Sequence, residues 1–132
     1  MILVDTNVLL DLATNDSTWA HRSQMQLDAA ALRDELVINA VIYAELSIGF
    51  RRIEVVDAML ATTSLRLDQI PTAALFLAGK AFQRYRRSGG ARTGVLPDFF
   101  IGAHAAVAKA SLLTRDAGRY RSYFPTVQLV VP

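Results

Sequence analysis

The chain has 132 residues, a formal net charge of +2 and no cysteine, which fits one domain (residues 1–132) around one core and excludes a disulfide framework or a thiolate metal site. Hydrophobic residues make up 52% and the mean hydropathy is +0.27, too apolar for a disordered chain and apolar enough that a partner is expected to cover part of the surface. The N-terminal apolar stretch has no basic leader and is interrupted by Asp5, Asn7 and Asp11, so neither a signal peptide nor a membrane span is expected, and the cytoplasm is the expected compartment.

Ile2 to Asp5 predicts a buried strand, followed by a short helix from about Asn7 to Ala13. Asn15-Asp16-Ser17 punctuates, and a longer helix is expected from Trp19 to about Arg33 with Ser17 or Thr18 as its N-cap. Leu36 to Asn39 predicts a second strand, Val41 to Phe50 and Ile53 to Thr62 two helices, and Ser64 to Leu67 a third strand. Pro71 opens a helix to about Arg87, and Ser88 through Gly94 forms the one flexible loop. Pro97 opens a helix to about Lys109, and Leu112 to Thr114 and Val127 to Val131 supply the last strands. Strands alternating with helices imply an α/β fold, a mainly parallel sheet with helices on both faces.

Four acids stand out on that map. Asp5 closes the run Ile2-Leu3-Val4, and Asp116 follows the run Leu112-Leu113, so both leave the end of an expected strand, where ligand sites of open α/β sheets lie. Glu45 has Val41, Ile42, Ile48 and Gly49 as its helical neighbours, which centres the carboxylate on an apolar stripe. A buried carboxylate of that kind must be protonated, paired with an arginine, or bound to metal. Asp98 follows Pro97 in a first helical turn, a place also explained by capping and the helix dipole. Asp5 and Asp116 can likewise be caps, Asp116 of a short helix ending near Tyr123. Asp28, Asp34, Glu35, Glu54, Asp57 and Asp68 stand in polar contexts, and they and Asp11 are assigned to the surface.

Two carboxylates about 4 Å apart repel by roughly 4 kcal/mol at an effective dielectric of about 20. A close cluster of the four therefore requires protonation or one or two divalent ions, and oxygen ligands favour magnesium or manganese. Such ions activate water for in-line displacement at phosphorus.

Lys80 and Lys109 are the only lysines, so the positive charge is almost all guanidinium, the better phosphate fork. Arg84, Arg86, Arg87 and Arg92 flank the glycine loop before Asp98, and Arg115 adjoins Asp116. These residues are candidates for nucleic-acid phosphates, as against cations favoured at a helix C-terminus. Arg51 and Arg52, beyond the Glu45 helix, are candidates for contact with a partner or substrate. His104, alone on an alanine-rich helix, is assigned to packing or hydrogen bonding rather than to catalysis.

Four segments follow one another along the chain: Ile2-Leu3-Val4-Asp5-Thr6-Asn7, Ala44-Glu45-Leu46, Pro97-Asp98-Phe99-Phe100-Ile101-Gly102-Ala103-His104-Ala105, and Leu113-Thr114-Arg115-Asp116. Together they resemble the PIN-domain ribonucleases, specifically the VapC-type toxins of type II toxin-antitoxin pairs, over nearly the whole chain. The resemblance implies a three-layer α/β/α sandwich with a central parallel sheet and a metal-dependent endoribonuclease activity. It implies magnesium or manganese held by Asp5 and Asp98, with Glu45 and Asp116 as further ligands or water-positioning groups and the Thr6 and Thr114 hydroxyls in support. It also implies a homodimer and neutralisation by a small antitoxin. Two other readings of the residues stay open. One is a phosphohydrolase using Asp5 as nucleophile, disfavoured because Asn7 stands where its second acid belongs. The other is a non-catalytic RNA- or protein-binding module with the acids in structural roles.

Overall fold

Strands β1 (Ile2–Val4) and β2 (Leu36–Ile38) are buried throughout, as expected of strands covered by helices on both faces. They join β3 (Arg66–Leu67), β4 (Ser111–Leu113) and β5 (Leu129–Val130) in a five-stranded sheet of order β3-β2-β1-β4-β5, every pairing parallel. The computed structural model describes residues 1–92 and 94–132, so the expected 88–94 loop is described except at Thr93. Seven helices are described: α1 (Thr6–Ala13), α2 (Ala20–Arg33), α3 (Ala40–Ser47), α4 (Ile53–Thr62), α5 (Thr72–Arg87), α6 (Leu96–Ala108) and α7 (Ala117–Tyr123). They flank the sheet as the expected α/β/α sandwich. None of the described helices is long and apolar enough to cross a membrane.

The order places the chain reversal between β1 and β4. From β1 the chain builds outward through β2 and β3, then returns to the other side for β4 and β5. Val4 pairs with Leu113, and the Asp5 amide continues the ladder to the Leu113 carbonyl at 2.9 Å. Asp5 and Thr114 thus leave adjacent strands at the one point where neighbouring connections diverge and a crevice opens.

Several boundaries differ from those expected, each for a local reason. Asn39 leaves β2 because its side chain caps α3, accepting from the Ile42 amide at 3.0 Å. Neither Ser17 nor Thr18 caps α2. Trp19 stands at the N-cap without a side-chain bond, and Asp16 Oδ1 closes the turn before it, accepting from the Thr18 and Trp19 amides at 2.9 and 2.8 Å. Strand β3 shortens because Ser64 adopts a left-handed φ of 55° that a strand cannot continue. On α6 Ile101 through Ala105 are all buried, whereas Val107 is exposed.

Helices α5 and α6 pack through a small-residue stripe, Ala74, Ala78 and Ala81, all fully buried, which lets the backbones approach. Beside it Phe82, Tyr85, Phe99, Tyr123 and Phe124 form an aromatic cluster with centroids 5.2–6.1 Å apart. Gly102 of α6 lies so close to the Phe124 ring that a Cβ there would stand 2.3 Å from it. Helix α6 is also pinned to the sheet by its fully buried His104. The Asn39 amide nitrogen faces His104 Nδ1 at 3.1 Å, and His104 Nε2 faces Asp68 Oδ2 at 3.0 Å. Because Asn39 Oδ1 is committed to the helix cap, its amide donates to Nδ1, and Nε2–H donates to Asp68. His104 therefore has the structural role expected of it. Asp68 is half-buried rather than a plain surface acid. Desolvation opposes its charge, but Arg66 and His104 hold its carboxyl below the usual range.

Candidate active site

Asp5 is only 4% exposed. Its Oδ1 accepts from the Thr6 amide at 2.8 Å, so it also caps α1. Its Oδ2 accepts from the Thr114 hydroxyl at 2.8 Å and the Tyr120 hydroxyl at 2.9 Å, with the Asn7 amide at 3.4 Å. Burial pushes the Asp5 carboxyl up, the Thr114, Tyr120 and Thr6 hydrogen bonds oppose that, and the charge of Asp116 adds to it. The Thr114 hydroxyl is a hub, accepting from the Asp116 amide at 3.0 Å and from Asn7 at 3.3 Å while donating to Asp5. The Arg115 amide donates to Asn7 Oδ1 at 3.1 Å. The ends of β1 and β4 are thereby tied by side chains beyond their ladder.

Glu45, on α3, is half-buried, and the Thr6 hydroxyl donates to its Oε1 at 2.8 Å. Its carboxyl is raised by desolvation, with the charge of Asp5 adding to the effect against the Thr6 bond. The arginine partner considered for it from sequence is not found among the described residues. Asp98 stands in the first turn of α6 and pairs with Arg119 of α7. Its carboxyl is pushed up to about 6, first by desolvation and then by Asp5, Glu45 and Asp116, with Arg119 opposing. Asp116 occupies the N-cap position of α7, yet its side chain makes no capping bond, contrary to the capping role considered for it. That carboxylate is exposed at the same edge.

The charges of Asp5, Glu45 and Asp116 all act on Asp98, so the four acids share one electrostatic site at the reversal of the sheet. Among the described residues no three carboxylate or imidazole groups already stand together as an ion cage. The donor chemistry nonetheless suits a hard divalent ion. It is all oxygen, and burial first, with a smaller contribution from neighbouring acids, raises the proton affinities of Asp5, Glu45 and Asp98, so a cation would favour their ionised forms.

Three residues of this region escape a reading of the sequence. Tyr120 is fully buried with its hydroxyl on Asp5, and burial together with the Asp5 charge raises its phenol far above the ordinary value. Its spacing four residues beyond Asp116 was the available signal. Arg119, on the same helix turn, pairs with Asp98. Asp11, assigned to the surface, is 3% exposed. It accepts from Ser23 Oγ at 2.7 Å and takes a two-pronged contact from Arg115 at 2.8 and 2.9 Å. Arg115 also lies over the Trp19 ring at 4.8 Å. Its guanidinium is thus committed to Asp11 rather than free for a phosphate. Arg84, Arg86 and Arg87 are exposed at the end of α5, and Arg92 is exposed in the loop after it.

The family model of the PIN domain matches residues 2–124. The chain belongs to the PIN-domain family. Three solved structures share this fold over almost their full length. VapBC2 from Rickettsia felis, bound to a DNA fragment from its promoter, has a TM-score of 0.76 at 19% identity, covering 100% of this chain and 99% of that one. VapBC-1 from nontypeable Haemophilus influenzae has 0.73 at 20%, covering 99% and 98%. A toxin-antitoxin complex from Klebsiella pneumoniae has 0.72 at 21%, covering 100% and 98%. No curated protein sequence matches the chain. In this PIN domain the matched span contains all four acids and both helices, α6 and α7, that bring Asp98 and Tyr120 to Asp5.

Proposed function

We propose that this PIN domain is the toxin of a toxin-antitoxin pair, an endoribonuclease that requires magnesium or manganese. The observation that carries the reading is Asp5. It is a buried carboxylate at the sheet reversal, held by three side-chain donors, and burial, aided by neighbouring acids, raises the carboxyls of Asp5, Glu45 and Asp98 together. Asp5 and Asp98 would be the principal ligands of the ion, with Glu45 and Asp116 completing the set or orienting water. A bound divalent ion supplies a water of lowered pKa and neutralises charge on a phosphodiester. The chain's own contribution is preorganisation. Thr114 and Tyr120 fix Asp5, and Thr6 fixes Glu45. Asp5 and Glu45 are thereby presented without rotamer search, which is how a shell of supporting hydrogen bonds serves a metal site.

A groove of about 330 Å³ beside Glu45 is lined by Val41, Ala44, Leu96, Pro97 and Phe100. Its apolar walls suit a segment of the cognate antitoxin lying next to the acids. Homodimerisation and a cytoplasmic location belong to the same reading. The test is incubation of total cellular RNA with antitoxin-free protein, with and without magnesium or manganese, beside Asp98→Asn. Discrete metal-dependent fragments that the variant does not produce are expected. RNA binding indifferent to metal, with no cleavage by folded protein, would point instead to a non-catalytic binding module.

A further inference from the structure

We infer that Arg119 is the resident counter-cation of this site, giving up Asp98 to an entering divalent ion and then holding a phosphate of the substrate. The inference rests on the metal-dependent reading above. Its starting point is the ion pair between the Arg119 guanidinium and Asp98 Oδ2, in which the two side chains are 19% and 27% exposed. Arg119 has no other acid within ion-pair distance among the described residues. Asp98, for its part, feels three neighbouring negative charges, from Asp5, Glu45 and Asp116, against this one positive charge. The guanidinium is therefore the cation paired with an acid that would hold the ion.

The two arginines of the site differ in this respect. Arg115 is held by both oxygens of buried Asp11 and stacked over Trp19, so it is structural. Arg119 is held by one oxygen of a carboxylate that the proposed chemistry itself needs. An ion that takes Asp98 leaves the guanidinium mostly covered and without its partner, which is unfavourable until another anion arrives. The anion brought to this edge is a phosphodiester, whose paired oxygens match the planar guanidinium fork. Asp116 stands at the N-cap of α7 and Tyr120 holds that helix against Asp5, so Arg119 is carried on an anchored turn. Competition with metal and attraction for phosphate are then two consequences of one side chain, and they have opposite signs.

The test uses the full chain, free of antitoxin, as wild type, Arg119→Gln and Arg119→Lys, each checked for folding by circular dichroism. Free Mn2+ is counted by electron paramagnetic resonance. A mixed-sequence 2′-O-methyl RNA oligonucleotide, which resists cleavage, is titrated in saturating Mn2+ and followed by fluorescence anisotropy. Arg119→Gln should bind Mn2+ roughly three- to tenfold more tightly, the scale of a partly screened ion pair. The same variant should bind the oligonucleotide about tenfold more weakly. Arg119→Lys keeps the charge and gives up the fork, so its Mn2+ affinity should stay near wild type while its RNA affinity falls, which also serves if the glutamine variant does not fold. Equal Mn2+ affinity in wild type and Arg119→Gln overturns the counter-cation role alone. Tighter Mn2+ binding with unchanged RNA affinity overturns the phosphate role. No Mn2+ binding by any of the three overturns this inference together with the metal-dependent reading beneath it.

Discussion

Replacing Asp98 by asparagine should make the metal-free protein more stable, although the change breaks an ion pair. The carboxyl of Asp98 is displaced from 3.8 to about 6 even with Arg119 beside it, so its ionised form is disfavoured on balance in the folded chain. A displacement of about two units corresponds to roughly 3 kcal/mol. Partial exposure of the group screens part of this, which leaves about 1–3 kcal/mol, or a rise in Tm of roughly 4–10 °C for a domain of this size. The sign with pH follows from proton binding. A carboxyl raised on folding binds protons more tightly in the native state, so its ionisation removes stability as pH rises through the folded value and the loss is complete above it. The advantage of Asp98→Asn over wild type should be full at about pH 8 and shrink as pH falls through about 6 toward 4. Thermal melts of both proteins in EDTA across that range measure it. With Mn2+ added, the order should narrow or invert, because only wild type keeps the full ligand set that couples ion binding to folding. A variant less stable than wild type in EDTA at pH 8, or an advantage that does not change with pH, would refute the electrostatic account of the site.

Two further substitutions test how the fold holds the site. Asn39→Ala removes the cap of α3 and the partner of buried His104 together, and urea unfolding should register a loss of about 2–4 kcal/mol; a loss under about 0.5 kcal/mol would show that neither bond contributes. Gly102→Ala offers a better helix former by about 1 kcal/mol but drives a Cβ into the Phe124 ring. Overpacking should prevail with a net loss of about 1–3 kcal/mol, and a neutral or stabilised variant in the same unfolding assay would contradict the packing.

The order of elements was legible in the chain because runs such as Ile2-Leu3-Val4 and Leu36-Val37-Ile38 are too apolar for anything but a strand buried on both faces. Prolines and turn residues bounded the helices between them. The candidate acids stood out for a different reason: Glu45 is a charge on an apolar stripe, Asp5 and Asp116 follow strands, and Asp98, ordinary in a first helical turn, drew notice by its company with them. The contacts that no motif flagged depend on segments far apart in sequence, such as Tyr120 with Asp5, more than 100 residues away. Asp11 shows the limit plainly. Its sequence neighbours look like those of a surface acid, and it is buried only because the β4–α7 connection returns Arg115 to it and α2 brings Ser23. Composition and periodicity determined the fold class and the candidate acids, because both are local properties of the chain. The sheet order decided the rest: it set β1 beside β4, and so determined which hydroxyls and which guanidinium meet the carboxylates, a matter of which distant segments share the crevice rather than of what any one segment prefers.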